Sequence, residues 1–242
     1  IGSDHAGLVA CLLEAGLGPR EAAGDDVRNL MLSPSAGIDR QLLMDTRPLA
    51  GQILETLQSH SRLHELSAKF AVQLDGGEAL AMLEHHHDLW LAALVREGQL
   101  LLAFGLAGSP VDKPLAAVPQ ELGHELLVAV LELFLELATP EQTRMRHLLA
   151  QVPVADFLAQ LNLRLSRPLL SIDGWQRPAS VAGLHLGTYP QRERGQVYVG
   201  AVAPLGRLDP VMLKGAAQLA EQYGDASLRF TPWQSLLLPG IA

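Results

Sequence analysis

Four places along this chain carry residue types that could do chemistry. Arg28 and Asn29 stand in a short apolar run, residues 27–32, just before a turn-rich segment, and Lys69 directly precedes the apolar run that begins at Phe70. Both set cations among apolar or small residues with no obvious acidic neighbour. They read either as halves of structural ion pairs or as groups that bind the anionic part of a ligand. Arg144 and Arg146 belong to an Arg-Met-Arg-His opening of a helical pattern. On a helical wheel they lie roughly 200° apart, so only one of them can face a given partner. The alternatives there are an ordinary charged face and a guanidinium bound to a carboxylate-bearing ligand. The fourth place, Glu84-His85-His86-His87-Asp88, offers imidazole and carboxylate groups to a metal. In a strand, neighbouring side chains point to opposite faces, so only His85 with His87, or His86 with Asp88, could converge. No second histidine-rich segment completes a ligand set, and the reading taken is a solvated turn with no metal.

The composition narrows the classes. The chain has 242 residues, with 18 Lys+Arg against 26 Asp+Glu and a net charge of −8, which excludes a generic basic nucleic-acid binder. An apolar fraction of 48% can fill a sizeable core and excludes global disorder. The single cysteine, Cys11, allows no internal disulfide and no multi-cysteine metal or iron–sulfur site within this chain. It lies in an apolar run and is expected to be a buried small hydrophobe. The most apolar stretch, residues 126–138, is interrupted by Glu132 and Glu136 and falls well short of the roughly 20 residues a membrane span needs. The first residues carry no signal-peptide pattern, so a cytoplasmic protein without membrane partners is expected. There is no G-x-G-x-x-G, Walker-type, G-x-S-x-G or H-E-x-x-H motif, and no catalytic residue is assigned. The chain begins without Met and ends in Leu-Leu-Leu-Pro-Gly-Ile-Ala, and it reads as a piece of a longer protein.

The elements that must position these residues follow from periodicity and punctuation. Helical spacing predicts helices over about 5–15, 48–60, 119–137 and 154–161. Thr139-Pro140-Glu141 resembles a cap with a first-turn proline, so another helix is expected to begin there. Strands are expected at 27–32 and 70–74, and a hairpin at 89–95 and 100–106 around Arg96-Glu97-Gly98-Gln99. Residues 166–195 hold too many glycines and prolines for a long regular element and read as a connector. Beyond them a strand at 197–202, a helix from the Asp209 cap to Tyr223 and an extended run at 228–238 broken at Pro232 form a terminal unit.

Four segments together carry a family resemblance: RNLMLSPSAGID at 28–39, LSAKFAVQLDGG at 66–77, HDLWLAAL at 87–94, and GRLDPVMLKGAAQLAEQYGDASLRFTPWQSLLLPGI at 206–241. They resemble the nitrite and sulfite reductase superfamily and, within it, the precorrin-3B synthase family of aerobic cobalamin biosynthesis. The resemblance runs from Leu8 to Ile241, and its last segment is the most specific. It implies an α+β fold, with a nitrite/sulfite reductase-like tetrapyrrole-binding domain over residues 1–165, the connector 166–195, and a ferredoxin-like half-domain over 196–242. A first half-domain is expected to precede Ile1 and a cluster-binding domain with four cysteines to follow Ala242. The implied cofactors of the complete protein are a 4Fe-4S cluster and iron, with none held by this chain alone. The implied activity is oxygen-dependent hydroxylation of precorrin-3A with lactone formation, an oxidoreductase reaction of which this chain alone is not capable. The alternatives are a siroheme-dependent nitrite or sulfite reductase fragment and a non-catalytic tetrapyrrole-binding protein.

By resemblance, Arg28, Asn29 and Lys69 match positions that contact the substrate anion or the macrocycle's carboxylates in sulfite reductases; Arg144 and Arg146 are further candidates for the tetrapyrrole. The pattern departs at two neighbours, where Ala68 replaces an arginine and Ala71 a lysine. Loss of those charges argues against reduction of small oxyanions, which needs a concentrated cationic pocket.

Overall fold

The computed structural model describes residues 4–18 and 22–242. Its first sheet has five strands in sequential order: β1 (Leu30–Leu32), β2 (Val72–Asp75), β3 (His87–Arg96), β4 (Gln99–Gly108) and β5 (Ala116–Pro119). β1, β2 and β3 run parallel, with Leu30 opposite Val72 and Val72 opposite Leu89, while β4 and β5 are antiparallel. The expected hairpin is present. Its two-residue turn, Glu97-Gly98, has positive φ at both positions (52° and 77°), the mirror-image turn whose twist matches that of the flanking strands.

Strand alternation decides the layers. Leu89, Leu91, Ala93, Leu102 and Phe104 point to one face, where α3 (Arg47–Ser59), α4 (Gly123–Leu137), α5 (Met145–Leu149) and α6 (Val154–Asn162) close the main core. Trp90, Ala92, Leu94, Leu101 and Ala103 point to the other, which Ile172 and Trp175 cover. β3 is therefore buried on both sides and reads as an unbroken apolar run rather than an alternating one. Full burial of each large side chain, such as Trp90, Phe104 or Phe157, contributes about 1.5–3 kcal/mol.

The second sheet is antiparallel, in the order β6 (Gly187–Pro190), β7 (Val197–Val202), β9 (Ser235–Ile241), β8 (Arg229–Phe230). α7 (Pro210–Tyr223) packs Ala220 on Leu236 and Leu238, and Asp209 caps it by accepting from Met212 N at 2.8 Å. On the sheet's other side, Tyr198 and Leu237 meet Ile38 and Leu80 of the large domain.

Several expectations are corrected. No helix starts at Thr139: its N–H donates to the buried Gln142 side chain at 3.0 Å and its hydroxyl to Glu141 at 2.8 Å. These local bonds replace helical ones, so the next helix, α5, begins only at Met145. Cys11 is exposed, because α1 (His5–Glu14) buries none of its residues and Leu8, Leu12 and Leu13 face solvent with it. Another short helix, α2 (Ala22–Asp25), precedes β1. The stretch 166–195 contains β6, and Leu170 forms a bridge with Ala117.

What holds that stretch in place is a buried ion pair. Arg177 Nε donates to Asp75 Oδ2 at 2.5 Å and Nη2 to Oδ1 at 2.9 Å, and the guanidinium also reaches the carbonyls of Glu78 and Pro178, both at 2.6 Å. Burial opposes the charge on Arg177, but the hydrogen bonds and charge of Asp75 raise its pKa. Next to the pair lies Glu78, fully buried, with Oε2 accepting from Gly76 N at 2.8 Å and Oε1 without a partner among the described residues. Gly76 must lack a side chain, since a Cβ would lie 2.2 Å from the Met44 carbonyl. Burial, and then the Asp75 charge, push Glu78 up to about 8.

A carboxyl with a raised folded pKa stabilises the fold fully below its unfolded value, about 4.3, and that contribution is lost as pH rises through about 8. Urea unfolding between about pH 5 and about pH 9 should therefore show wild-type stability falling with pH relative to Glu78→Gln. Parallel pH profiles for the two proteins would refute a protonated Glu78.

Candidate functional site

The open edge of β1 faces a groove. Among the described residues β1 pairs only with β2, and across from it stands β8, with Phe230 lining both parts of the groove. A cleft of about 370 Å³ lies at the amino ends of the three parallel strands, lined by Arg28, Asn29, Met31, Ala71, His87 and Phe230 among others. A second of about 550 Å³ shares Leu32 and Phe230 with it and continues past Pro34 to Arg47, Asp225 and Arg229. Apolar side chains thus occupy the middle of the groove; Arg28 stands at one end, and Arg47 and Arg229 share the other with Asp225.

Each cation is held differently. Arg28 bonds the Asp25 carboxylate through Nη2, so it does have an acidic neighbour, three residues back and invisible to a search of flanking residues. The pair is partly exposed (32% and 54%), which makes it worth at most about 1 kcal/mol, and Arg28 Nε is buried without a partner among the described residues. Asn29 Nδ2 donates to the Ala68 carbonyl and ties the lead-in of β1 to the loop before β2. At the far end Arg229 donates to the Pro34 and Ala36 carbonyls at 3.1 and 2.7 Å, stapling the half-domain to the loop after β1. Burial, then the neighbouring Arg47, lowers the Arg229 pKa. Arg47 is bidentate on Asp45, through Nε to Oδ1 at 2.9 Å and Nη2 to Oδ2 at 2.7 Å, and holds its pKa below the usual carboxylate value.

Of the candidates read from the sequence, Arg28 and Asn29 line the groove. Lys69 is exposed, two residues before the lining Ala71, with its backbone N–H on Ser67 Oγ at 3.2 Å. Arg146 is exposed on α5 beside His147. Arg144 is committed internally: its Nε donates to both oxygens of Asp88, at 2.8 and 3.0 Å. The same Asp88 carboxylate accepts from Ala71 N at 2.9 Å and Met145 N at 2.8 Å. The solvated turn proposed for residues 84–88 holds for the exposed Glu84, His85 and His86. It fails for His87 and Asp88, which are 5% and 2% exposed because they begin β3. Sequence reasoning missed Arg47 and Arg229 and weighed His87 only as a metal candidate; Arg229 lay within the most specific resembling segment, but its role depends on the fold bringing β8 to β1.

Comparisons with known proteins agree with this architecture. Residues 23–169 match the family described as the nitrite and sulphite reductase 4Fe-4S domain, and residues 189–242 match the nitrite/sulfite reductase ferredoxin-like half domain. The ferredoxin–nitrite reductase of Oryza sativa subsp. japonica chloroplasts is 30% identical over 251 residues, covering 93% of this chain and 41% of the relative. That of Synechococcus elongatus is 27% identical, covering 93% and 47%. The NirA protein of Mycobacterium tuberculosis shares the fold, with a TM-score of 0.69 at 23% identity over 88% of this chain and 40% of that one. The chain spans less than half the length of these proteins.

A 4Fe-4S cluster does not fit the residues of this chain. Cys11 is its single thiol and is exposed on α1, and among the described residues no group of three His, Cys, Asp or Glu side chains is placed to hold a metal ion. Nor is any helix among them long and apolar enough to cross a membrane.

Removing the Asp88 carboxylate should unseat the cleft wall, because Arg144 would be left without its partner and two backbone N–H groups without an acceptor. Asp88→Ala is expected to destabilise the chain by roughly 3–5 kcal/mol, read as a lowered midpoint in urea unfolding. A loss below about 1 kcal/mol would show that Asp88 does not organise this region.

Proposed function

We propose that this member of the nitrite and sulphite reductase family supplies one wall of a tetrapyrrole site, and that the complete protein is a precorrin-3A monooxygenase of the precorrin-3B synthase type. The observation that carries the reading is the groove along β1: an apolar middle of Met31, Leu32 and Phe230 with Arg28 at one end and Arg47 and Arg229 at the other. A flat macrocycle with carboxylates around its rim has the complementary pattern. Charge-assisted hydrogen bonds to such carboxylates contribute about 1.5–3 kcal/mol each. Arg28 suits the task because its present partner, Asp25, is a solvent-exposed carboxylate that a ligand carboxylate can replace.

Ala68 and Ala71 favour the synthase over an oxyanion reductase. They stand where the resembled sulfite reductases carry an arginine and a lysine, and Ala71 lines the cleft. A cleft with few cations suits a large substrate better than a small anion whose developing charge must be stabilised. A second reading, part of a siroheme-dependent nitrite reductase, is favoured by the relatives, which are ferredoxin–nitrite reductases. The complete protein separates the two. Incorporation of labelled dioxygen into precorrin-3A supports the synthase; nitrite consumption with a reduced viologen, and none of precorrin-3A, would overturn it.

Binding by this chain can be checked alone. Arg28→Ala should weaken uptake of a tetrapyrrole carboxylate by roughly tenfold, at about 1.4 kcal/mol per decade, with melting temperature nearly unchanged. Lost stability with retained affinity would mark a structural cation instead.

A further inference from the structure

His87 stands at the first residue of β3, at the floor of the cleft beside Arg28, and plays no part in the carboxylate binding described above. Its Nδ1 lies 3.0 Å from the His85 carbonyl oxygen. A carbonyl only accepts, so Nδ1 must carry the proton. Burial is the main influence holding the ring neutral. The charged and titratable groups around it divide: the His85 ring on the same lead-in and Arg144 from the start of α5 oppose a positive ring, whereas Asp88 favours one. Asp88, however, is occupied by Arg144, and Arg28 lines the same cleft. A neutral ring protonated on Nδ1 has its lone pair on Nε2. That atom has no partner among the described residues, yet it is not among their fully buried unpartnered atoms.

We infer that His87 is the hydrogen-bond acceptor of the cleft, its Nε2 lone pair taking an N–H or O–H group of the bound ligand. This rests on the tetrapyrrole reading for the ligand's identity: a metal-free tetrapyrrole carries pyrrole N–H donors, whereas nitrite brings only lone pairs to such an acceptor. The cleft then sorts ligand groups by chemistry, with carboxylates on Arg28 and a neutral donor on His87. His87 is also supported from behind. The Asp88 backbone N–H donates to the Ala71 carbonyl at 2.8 Å while its carboxylate takes the Ala71 N–H, so the ring is carried on a segment bonded twice to the neighbouring strand.

The test uses this chain and metal-free uroporphyrin, a tetrapyrrole carboxylate with intact N–H groups. Nitrogen-15 NMR of the free protein at neutral pH should show His87 Nδ1 protonated and Nε2 unprotonated, and saturating uroporphyrin should shift the Nε2 resonance. His87→Leu should bind uroporphyrin about tenfold more weakly, while His87→Gln, which keeps an acceptor near Nε2, should bind within about twofold of wild type. The proposal is overturned by the opposite tautomer in the free protein, or by a His87→Leu variant that binds as tightly as wild type. A wild type that takes up no uroporphyrin overturns the tetrapyrrole reading instead, and is told apart because the tautomer is read without ligand. Should His87→Leu fail to fold, the tautomer and the ligand-induced Nε2 shift in wild type still decide the matter.

Discussion

One carboxylate, that of Asp88, sets the geometry on which the site depends. It is almost wholly buried and accepts from two places that are distant in sequence: the Ala71 N–H before β2 and, at the start of α5, the Met145 N–H and the Arg144 guanidinium. A buried charge is tolerated only when its hydrogen-bonding capacity is filled. The converging donors therefore fix where β2, β3 and α5 meet, and the amino ends of the parallel strands become one wall. Arg144, a ligand-binding candidate by residue type, is spent on this internal role.

The second sheet completes the groove that the first only begins. β1 is three residues long and paired on one side, and an edge of that kind presents unpaired backbone groups. The half-domain faces it across the groove, with Phe230 and Leu32 among the lining residues, and anchors Arg229 on the carbonyls of Pro34 and Ala36. Those two carbonyls follow β1 directly, so the width of the groove is set by hydrogen bonds between the domains rather than by a hinge. The membership of both segments in nitrite and sulphite reductase families is consistent with a site that needs the two together.

Polar groups also organise the far end of β2. Asp75 and Arg177 neutralise each other with 0% and 3% side-chain exposure, and Arg177 pins a segment whose regular structure is confined to β6 and the Leu170 bridge. Glu78 lies beside this pair, and burial, then the nearby Asp75 charge, push its carboxyl up to about 8. The segment 166–195 can thus cover the second face of the first sheet, through Ile172 and Trp175, without forming an element of any length.

Local sequence was sufficient wherever local forces dominate. The Glu97-Gly98 turn, the Asp209-Pro210 helix start and the two apolar runs of the hairpin each carry their own stereochemical instruction, and each appears where expected. The resembling segments likewise made the two-domain fold legible. What the sequence could not show depends on partners far along the chain. Thr139-Pro140 looks like a helix start, but the buried Gln142 closes a turn there instead. Cys11 looks like core, but nothing among the described residues covers α1. His87 and Asp88 sit in a run of polar residues that reads as solvated, yet pairing of His87 with Gly108 of β4 and the bonds of Asp88 to Ala71 carry them inside. Arg47 and Arg229, 182 positions apart by their numbering, become neighbours only when β8 crosses to β1. Side-chain type and spacing determine which turns, caps and faces can form; which charges meet, and so which remain for a ligand, is decided by the long-range packing that brings their partners into contact.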